Sequence, residues 1–333
     1  MIDLPLIWAF LIATAILIYV LLDGFDLGIG ILFPFLRRDQ DRDVAMNTVA
    51  PVWDGNETWL ILGGGGLFAT FPLAYSILMP ALYAPVIAML IALIFRGVAF
   101  EFRWRSENHR GHWDFAFTAG SMVAAFCQGI ALGAFVQGIH VEGRAYAGGW
   151  WDWLTPFSLL TGVALVVGYA LLGSTWLVMK TEGTLRKQAV RYATITGVGT
   201  VLFIGLISGA TLSLDPRFME IWFSYPAVLY TAPVPIAVMA AALWLWRSLK
   251  KGADYKPFLA AVTLFVLSFI GLGISLFPHI VPLKVTIWEA AAPDKSLGFL
   301  LVGTVVLLPI ILGYTAYAYW IFRGKVKQGE GYH

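Results

Sequence analysis

The chain has 333 residues, 59% of them hydrophobic and only 13% charged, with a mean hydropathy of +0.78; this composition excludes a soluble globular domain and defines an all-α polytopic membrane protein. The net charge of +2, with no basic patch among interleaved aromatics, gives no sign of a nucleic-acid partner. The single cysteine, Cys127, lies in an apolar stretch, which excludes an internal disulfide and a cysteine-held metal or iron–sulfur centre.

Apolar windows of about 20 residues, enough to cross a hydrocarbon core of about 30 Å, fall at 5–36, 53–72, 79–100, 115–139, 155–179, 192–211, 226–246, 258–277 and 297–322. They predict nine transmembrane helices in one membrane domain, residues 1–333, with short connections and no internal repeat. Met1-Ile2-Asp3-Leu4-Pro5 lacks the basic n-region of a secretory signal and runs directly into the first window, so that helix is expected to be retained. Its roughly 32 residues would reach about 48 Å, too long for one upright crossing, so its second half must lean or project past the membrane boundary.

Alternate connections hold the cations. One set carries Arg37, Arg38, Arg42, Arg103, Arg105, Arg110, Lys180, Arg186, Lys187, Arg191, Arg247, Lys250, Lys251, Lys256, Arg323, Lys325 and Lys327. The other holds only Arg144, Arg217, Lys284 and Lys295, with Arg96 left inside a span. The positive-inside rule therefore predicts an outer, periplasmic N-terminus and a cytoplasmic C-terminus.

Charge inside the spans is costly, about 2.5–3.5 kcal/mol each on insertion scales, which draws attention to a few residues. Asp23 and Asp26 lie three apart on one face near the inner end of the first helix. Gly24 and Gly28 beside them form a small-xxx-small pair for close helix contact. The two acids read either as a proton-collecting gate or as a solvated helix end meeting Arg37 and Arg38. Asp54 and Glu57 open the second helix with the D-x-x-E spacing of a capping box; flanking Trp53 and Trp59, and a polar run reaching into the span, equally suit a carboxylate that takes up protons. Gly63 to Gly66 in that helix suit the close approach of another helix, a flat cofactor or a lipid tail, with helix packing the simplest account. Arg96 near the inner end of the third helix, five residues before Glu101, either snorkels to the interface or neutralises an acid of the first two helices.

Histidines avoid the spans. His109 and His112 fall in an inner loop, His140 and His279 at outer helix ends and His333 at the terminus, while intramembrane Met89, Met122 and Met239 read as packing. Since a mid-membrane haem needs an axial His, Met, Cys or Tyr ligand, the chain itself is expected to ligate no haem. Any redox cofactor is expected in a partner. The outer loop from Pro278 to Ser296 is amphipathic, with Trp288 suited to the membrane interface.

Several segments resemble a known family: Asp-Gly-Phe-Asp-Leu-Gly at 23–28, Pro51-Val52-Trp53-Asp54-Gly55-Asn56-Glu57-Thr58-Trp59-Leu60, Phe95-Arg96-Gly97, Trp288-Glu289-Ala290-Ala291, and Tyr319-Trp320-Ile321-Phe322-Arg323-Gly324-Lys325-Val326. In this order they are similar to subunit II of the cytochrome bd-type quinol oxidases. The Trp-Asp-Gly-Asn block is the most specific, and the motifs are closer in form to the cyanide-insensitive branch. The resemblance implies two four-helix bundles plus a peripheral helix. It also implies a heterodimer in the bacterial cytoplasmic (inner) membrane with a haem-bearing subunit I that holds haem b and haem d, or haem b only. Some members add a very small third subunit, and some hold a quinone or lipid in this subunit. The reaction implied is quinol oxidation coupled to reduction of oxygen to water. The aspartate of the Trp-Asp-Gly-Asn motif in the family's inner proton pathway is Asp54, with Trp53 and Glu57 shaping its mouth and Asp23, Asp26 and Arg96 further along. Two rival readings stay open: a proton-coupled secondary transporter and a purely structural scaffold subunit.

The charge bias makes a direct prediction: a fluorescent protein fused after residue 326 fluoresces, whereas alkaline phosphatase inserted beside Arg144 is active. The reverse pattern would overturn the orientation.

Overall fold

The computed structural model describes residues 3–106 and 108–326; Met1, Ile2, Lys327 and His333 lie outside the described residues. Helix α1 (Leu4–Leu32) starts at Asp3, whose Oδ1 accepts from the Leu6 amide at 3.0 Å, with proline in the first turn. It continues through a 3-10 turn, Phe33–Phe35, so the first predicted window is one long helix. Then follow α2 (Asp39–Asn47), α3 (Trp53–Thr70), α4 (Pro72–Ala81), α5 (Tyr83–Arg105) and α6 (Arg110–Gln137). A small hairpin, β1 (Val141–Glu142) and β2 (Ala145–Tyr146), leads to α7 (Pro156–Lys180), α8 (Gly183–Leu212), α9 (Pro216–Phe223), α10 (Ala227–Thr231), α11 (Pro233–Lys250) and α12 (Lys256–Leu276). The chain closes with β3 (His279–Val281), β4 (Val285–Thr286), α13 (Ile287–Ala290) and α14 (Asp294–Ile321).

Among the described residues, eight helices are long and apolar enough to cross a membrane. The ninth expected span is present as α3, a full helix of 18 residues whose opening turns, Trp53 to Thr58, are too polar to rank with the others. Helices α1, α3, α5 and α6 form one group and α7, α8, α11 and α12 a second; α1 and α6 pack against α7 to join them, and α14 lies outside on α1 and α3. This is the expected arrangement of two bundles and a peripheral helix.

Two local expectations are corrected and a third is given detail. The connection at 37–52 is not a plain short loop: α2 tucks Val44, Ala45 and Met46 into the core, because the apolar residues of this otherwise acidic helix are gathered at its C-terminal end. The span predicted at 79–100 is instead α5, preceded by the separate helix α4, since Phe71 leaves helical geometry before Pro72 and Leu82 does so again before α5. The outer loop after α12 is structured as the β3–β4 hairpin and α13, where Thr286 and Glu289 form a capping box. Trp288 there donates from Nε1 to Asp3 Oδ2 at 3.0 Å, tying the loop to the start of α1.

All the cation-rich segments meet at one end of the molecule. Arg103, 1% exposed, bridges Asp43 of α2 at 2.7 Å and Asp114 of α6 at 2.5 Å, and Arg42 reaches the same Asp114 at 3.2 Å. At that end Lys180 Nζ donates to the carbonyls of Phe322 and Gly324, and the Val326 amide donates back to the Lys180 carbonyl at 2.9 Å. Lys325 pairs with Asp254 at 3.1 Å, and this hydrogen bond, aided by Arg186, holds the Asp254 carboxyl below its usual range. The Asp3–Trp288 contact and the bond from the Ala292 amide to the Thr70 carbonyl, 2.8 Å, belong to the opposite end.

The joint between the two groups depends on glycine. A methyl group at Gly28 would run into the backbone of Tyr169, and one at Gly173 into the backbone of Gly28, so α1 and α7 touch main chain to main chain. This bears out the close contact expected of the Gly24/Gly28 pair. Replacing Gly28 by Leu should separate the two groups and cost about 3 kcal/mol or more, measured as a lower melting temperature in detergent; an unchanged transition would show that the joint tolerates separation.

Candidate functional site

Near the basic end, within the first group, the structure brings three helices to one buried polar centre. Asp23 and Asp26 share a face of α1, and both are 0% exposed. Arg96 of α5, also 0% exposed, places Nη1 2.6 Å from Asp23 Oδ1. The contact is close in distance, but its N–H is not aligned on the oxygen, so it is an ion pair without a well-formed hydrogen bond. Arg96 therefore neither snorkels nor faces Glu101, which pairs with Arg105 at 3.6 Å on the exposed side of α5. The reading in which Asp23 and Asp26 meet Arg37 and Arg38 at a solvated helix end is overturned, because α1 continues past both acids and buries them against Arg96 of α5 and Asn56 of α3.

The second acid has different company. Asp26 Oδ2 accepts from Asn56 Nδ2 of α3 at 2.7 Å, and Asn56 Oδ1 accepts from Tyr319 Oη of α14 at 2.8 Å. Asn56 also leans on the Leu22 carbonyl, 3.4 Å away. One turn before Asp23, the hydroxyl of Tyr19 accepts from Gln128 Nε2 of α6 at 2.6 Å, and Gln128 Oε1 accepts from Tyr169 Oη of α7 at 2.7 Å. Arg96 Nε and Nη2, Asp23 Oδ2 and Asp26 Oδ1 have no hydrogen-bond partner among the described residues. Buried atoms of this kind are satisfied by internal water or by a partner surface.

The α3 residues divide by helix face. Trp53 stacks on Phe100 with ring centres 4.7 Å apart, and Arg96 Cζ lies 6.0 Å from each ring. Glu57 is half-buried, while Asp54 is exposed, and among the described residues its carboxylate makes no hydrogen bond or ion pair. No capping box forms: the N-cap is Val52, and both acids lie inside the helix with no side-chain cap. The glycine run also divides, since a methyl at Gly63 or Gly66 would meet Ile16 or Ile12 of α1, whereas Gly64 and Gly65 face open space. Half of the run thus serves helix packing.

Sequence reasoning passed over Asn56, Tyr319, Tyr19, Gln128 and Tyr169 as members of the centre. Gln128 carried a usable signal, because an amide in mid-span is costly unless paired. Tyr19 lies one turn before Asp23 on the same face. Nothing local marks Tyr319 as the partner of Asn56.

The described histidines lie outside the long apolar spans, His109 and His112 at the start of α6, His140 in a loop and His279 in β3, and no group of three His, Cys, Asp or Glu residues gathers among the described residues. In the spans, Met89 is packed in the core, and Met122 and Met239 are exposed on helix surfaces. These residues do not supply an opposed pair of axial ligands.

Fold and centre together define a multi-pass membrane subunit organised around a buried acid–arginine pair. A family model described as cytochrome bd terminal oxidase subunit II matches residues 4–322, and the chain belongs to that family. It is 31% identical to the cytochrome bd-I ubiquinol oxidase subunit 2 of Escherichia coli K12, across 98% of this chain and 96% of that one. It is 29% identical to the cytochrome bd ubiquinol oxidase subunit 2 of Bacillus subtilis 168, across 97% of each. The solved bd oxidase from Geobacillus thermodenitrificans shares the fold, with a TM-score of 0.81, 16% identity, and coverage of 96% of this chain and 99% of that one. The chain is thus a subunit of a terminal oxidase complex, a family whose complexes contain haem, and the transporter reading is set aside.

Removing one half of a buried pair strands the other charge, at a cost of about 3–5 kcal/mol. Arg96→Gln should therefore lower the melting temperature of the purified protein sharply, and adding Asp23→Asn should restore most of it. A double variant as unstable as the single would show that Arg96 supports the fold by packing alone.

Proposed function

We propose that this chain, as subunit II of a quinol-oxidising, oxygen-reducing complex in the bacterial inner membrane, provides a route for proton uptake toward a haem-bearing subunit I. The basic end is the cytoplasmic side on this reading, following the loop-charge bias. The observation that carries it is a charge count: two carboxylates, Asp23 and Asp26, stand with 0% exposure beside a single guanidinium, Arg96. One acid can hold the ion pair while the other gains and loses a proton, which is the task that justifies an ionisable group inside a membrane.

The surrounding residues suit that task. Asp54 offers an exposed carboxylate one helical turn from half-buried Glu57, and Glu57 lies close enough to Arg96 for their charges to interact. Trp53 and Phe100 wall Arg96 from the side. Asn56, bonded to both Asp26 and Tyr319, fixes the orientation of the inner acid. The unpartnered oxygens of Asp23 and Asp26 mark where water would connect the steps. The haems and the oxygen chemistry belong to subunit I on this reading. The family relationship and the quinol named for the relatives support the complex-level assignment.

The test is the purified complex carrying Asp26→Asn or Asp54→Asn. Asparagine keeps the volume, and at position 26 its carbonyl still accepts from Asn56. Quinol-dependent oxygen uptake should fall about tenfold or more while the reduced-minus-oxidised haem spectrum and subunit ratio stay normal. Normal turnover in both variants would leave this chain a scaffold. Loss of haem would assign the acids to assembly.

A further inference from the structure

A second polar feature lies away from that centre, where the end of α1 meets the start of α8. A cavity of about 180 Å³ opens there, lined by Arg37, Gln188, Arg191 and Tyr192. It is roomy enough for a phosphate group, given that one water occupies about 30 Å³ of liquid. Gln188, Arg191 and Tyr192 share one face of α8 by their spacing of three and four. Tyr192 donates to the Phe35 carbonyl at 2.9 Å, which fixes the α8 wall against the turn after α1.

Three properties give the cavity a chemistry. Arg37 and Arg191 pair with no acid among the described residues, and no carboxylate is among the lining side chains, so two guanidiniums face the space with their charge uncompensated. Guanidinium is the side-chain group best matched to phosphate oxygens. Gln188 Oε1 is buried with no hydrogen-bond partner, so the site also lacks a donor that a hydroxyl would provide. Below Arg191, successive turns of α8 expose Ile195, Val198, Leu202 and Leu206, and Phe35 is exposed across from Tyr192. A charged cup at the head of an apolar, membrane-facing stripe is the footprint of an amphiphile rather than of a free anion.

We propose that this cavity binds the headgroup of an acidic phospholipid that carries hydroxyl groups, of the phosphatidylglycerol type. Its phosphate lies between Arg37 and Arg191, its headgroup hydroxyl donates to Gln188, and its acyl chains run down the exposed face of α8. The lipid bridges the end of α1 to α8 beside the hydrogen bond and ring contact that join Tyr192 to Phe35.

The test uses the intact complex in mild detergent, with bound lipid followed by native mass spectrometry during titration with dioleoyl phosphatidylglycerol or phosphatidylcholine. The double variant Arg37→Gln/Arg191→Gln is compared with Lys187→Gln/Lys251→Gln, which removes equal charge from exposed positions at the same end. Phosphatidylglycerol should bind in preference to phosphatidylcholine, and about tenfold or more weakly to the arginine variant than to the wild type or the lysine variant. Equal weakening in both variants, or none in either, overturns the proposal. Displacement of the lipid by millimolar inorganic phosphate would assign the cup to a free anion. A photoreactive group at residue 188 that captures another subunit instead of lipid would make it a protein contact. Either result also overturns the proposal. A melting temperature within a few degrees of wild type in both variants shows that the comparison reads binding and not unfolding.

Discussion

Arg96 and Asp23 face each other at 2.6 Å, both fully buried, and much of the first bundle is arranged to make that possible. A guanidinium and a carboxylate repay their desolvation only when the geometry brings them close, and each is expensive without the other. Close geometry requires backbones that come together. On α6, Gly120 leaves space for Arg96, since a methyl there would lie 2.6 Å from the Ala92 carbonyl oxygen and 3.0 Å from the Arg96 amide. On α1, Gly24 leaves space for the Tyr169 ring, 2.8 Å from where its methyl would be. The pair and the small residues form a single device: the glycines permit the approach, and the charges penalise any separation.

Aromatic rings seal the centre on two sides. Trp53 and Phe100 stack beside Arg96, and Phe25 stacks on Trp176 with ring centres 4.1 Å apart in the second bundle's direction. Phe25 lies between Asp23 and Asp26 in sequence but points away from them, so α1 presents acid to one neighbour and an aromatic surface to another. Helical periodicity alone produces this division. It lets one helix join a polar centre in the first bundle to an apolar core shared with the second.

The helices were legible in the sequence because twenty apolar residues with charged flanks have few other uses. Asp23, Asp26 and Arg96 were legible as well, since a charge within an apolar run has to be accounted for and Arg96 had an acid within reach on another helix. The D-x-x-E pattern at 54–57 misled, because its spacing is shared by a cap and by two acids already inside a helix, and only the position of Val52 decides between them. The Asn56–Tyr319 bond was invisible: its partners are 263 positions apart, and neither has a periodic signature. The folded connection carrying α2 was hidden for a related reason. Its acidic residues read as loop, and their arginine partner, Arg103, lay in a segment whose charge already had an explanation in the topology.

The closing helix has a consequence for the order in which the molecule is made. Asn56 emerges early, with one side of its amide bonded to Asp26 and the other awaiting Tyr319. Until α14 arrives, a buried carbonyl at the heart of the first bundle has no donor. The same late segment delivers the Phe322 and Gly324 carbonyls to Lys180, which is buried at the end of α7. The last helix is peripheral in packing, yet it completes two unfinished polar sites at once. Residues 319–324 must be in place before either site is satisfied, so a helix that packs at the periphery is tied to the interior by hydrogen bonds.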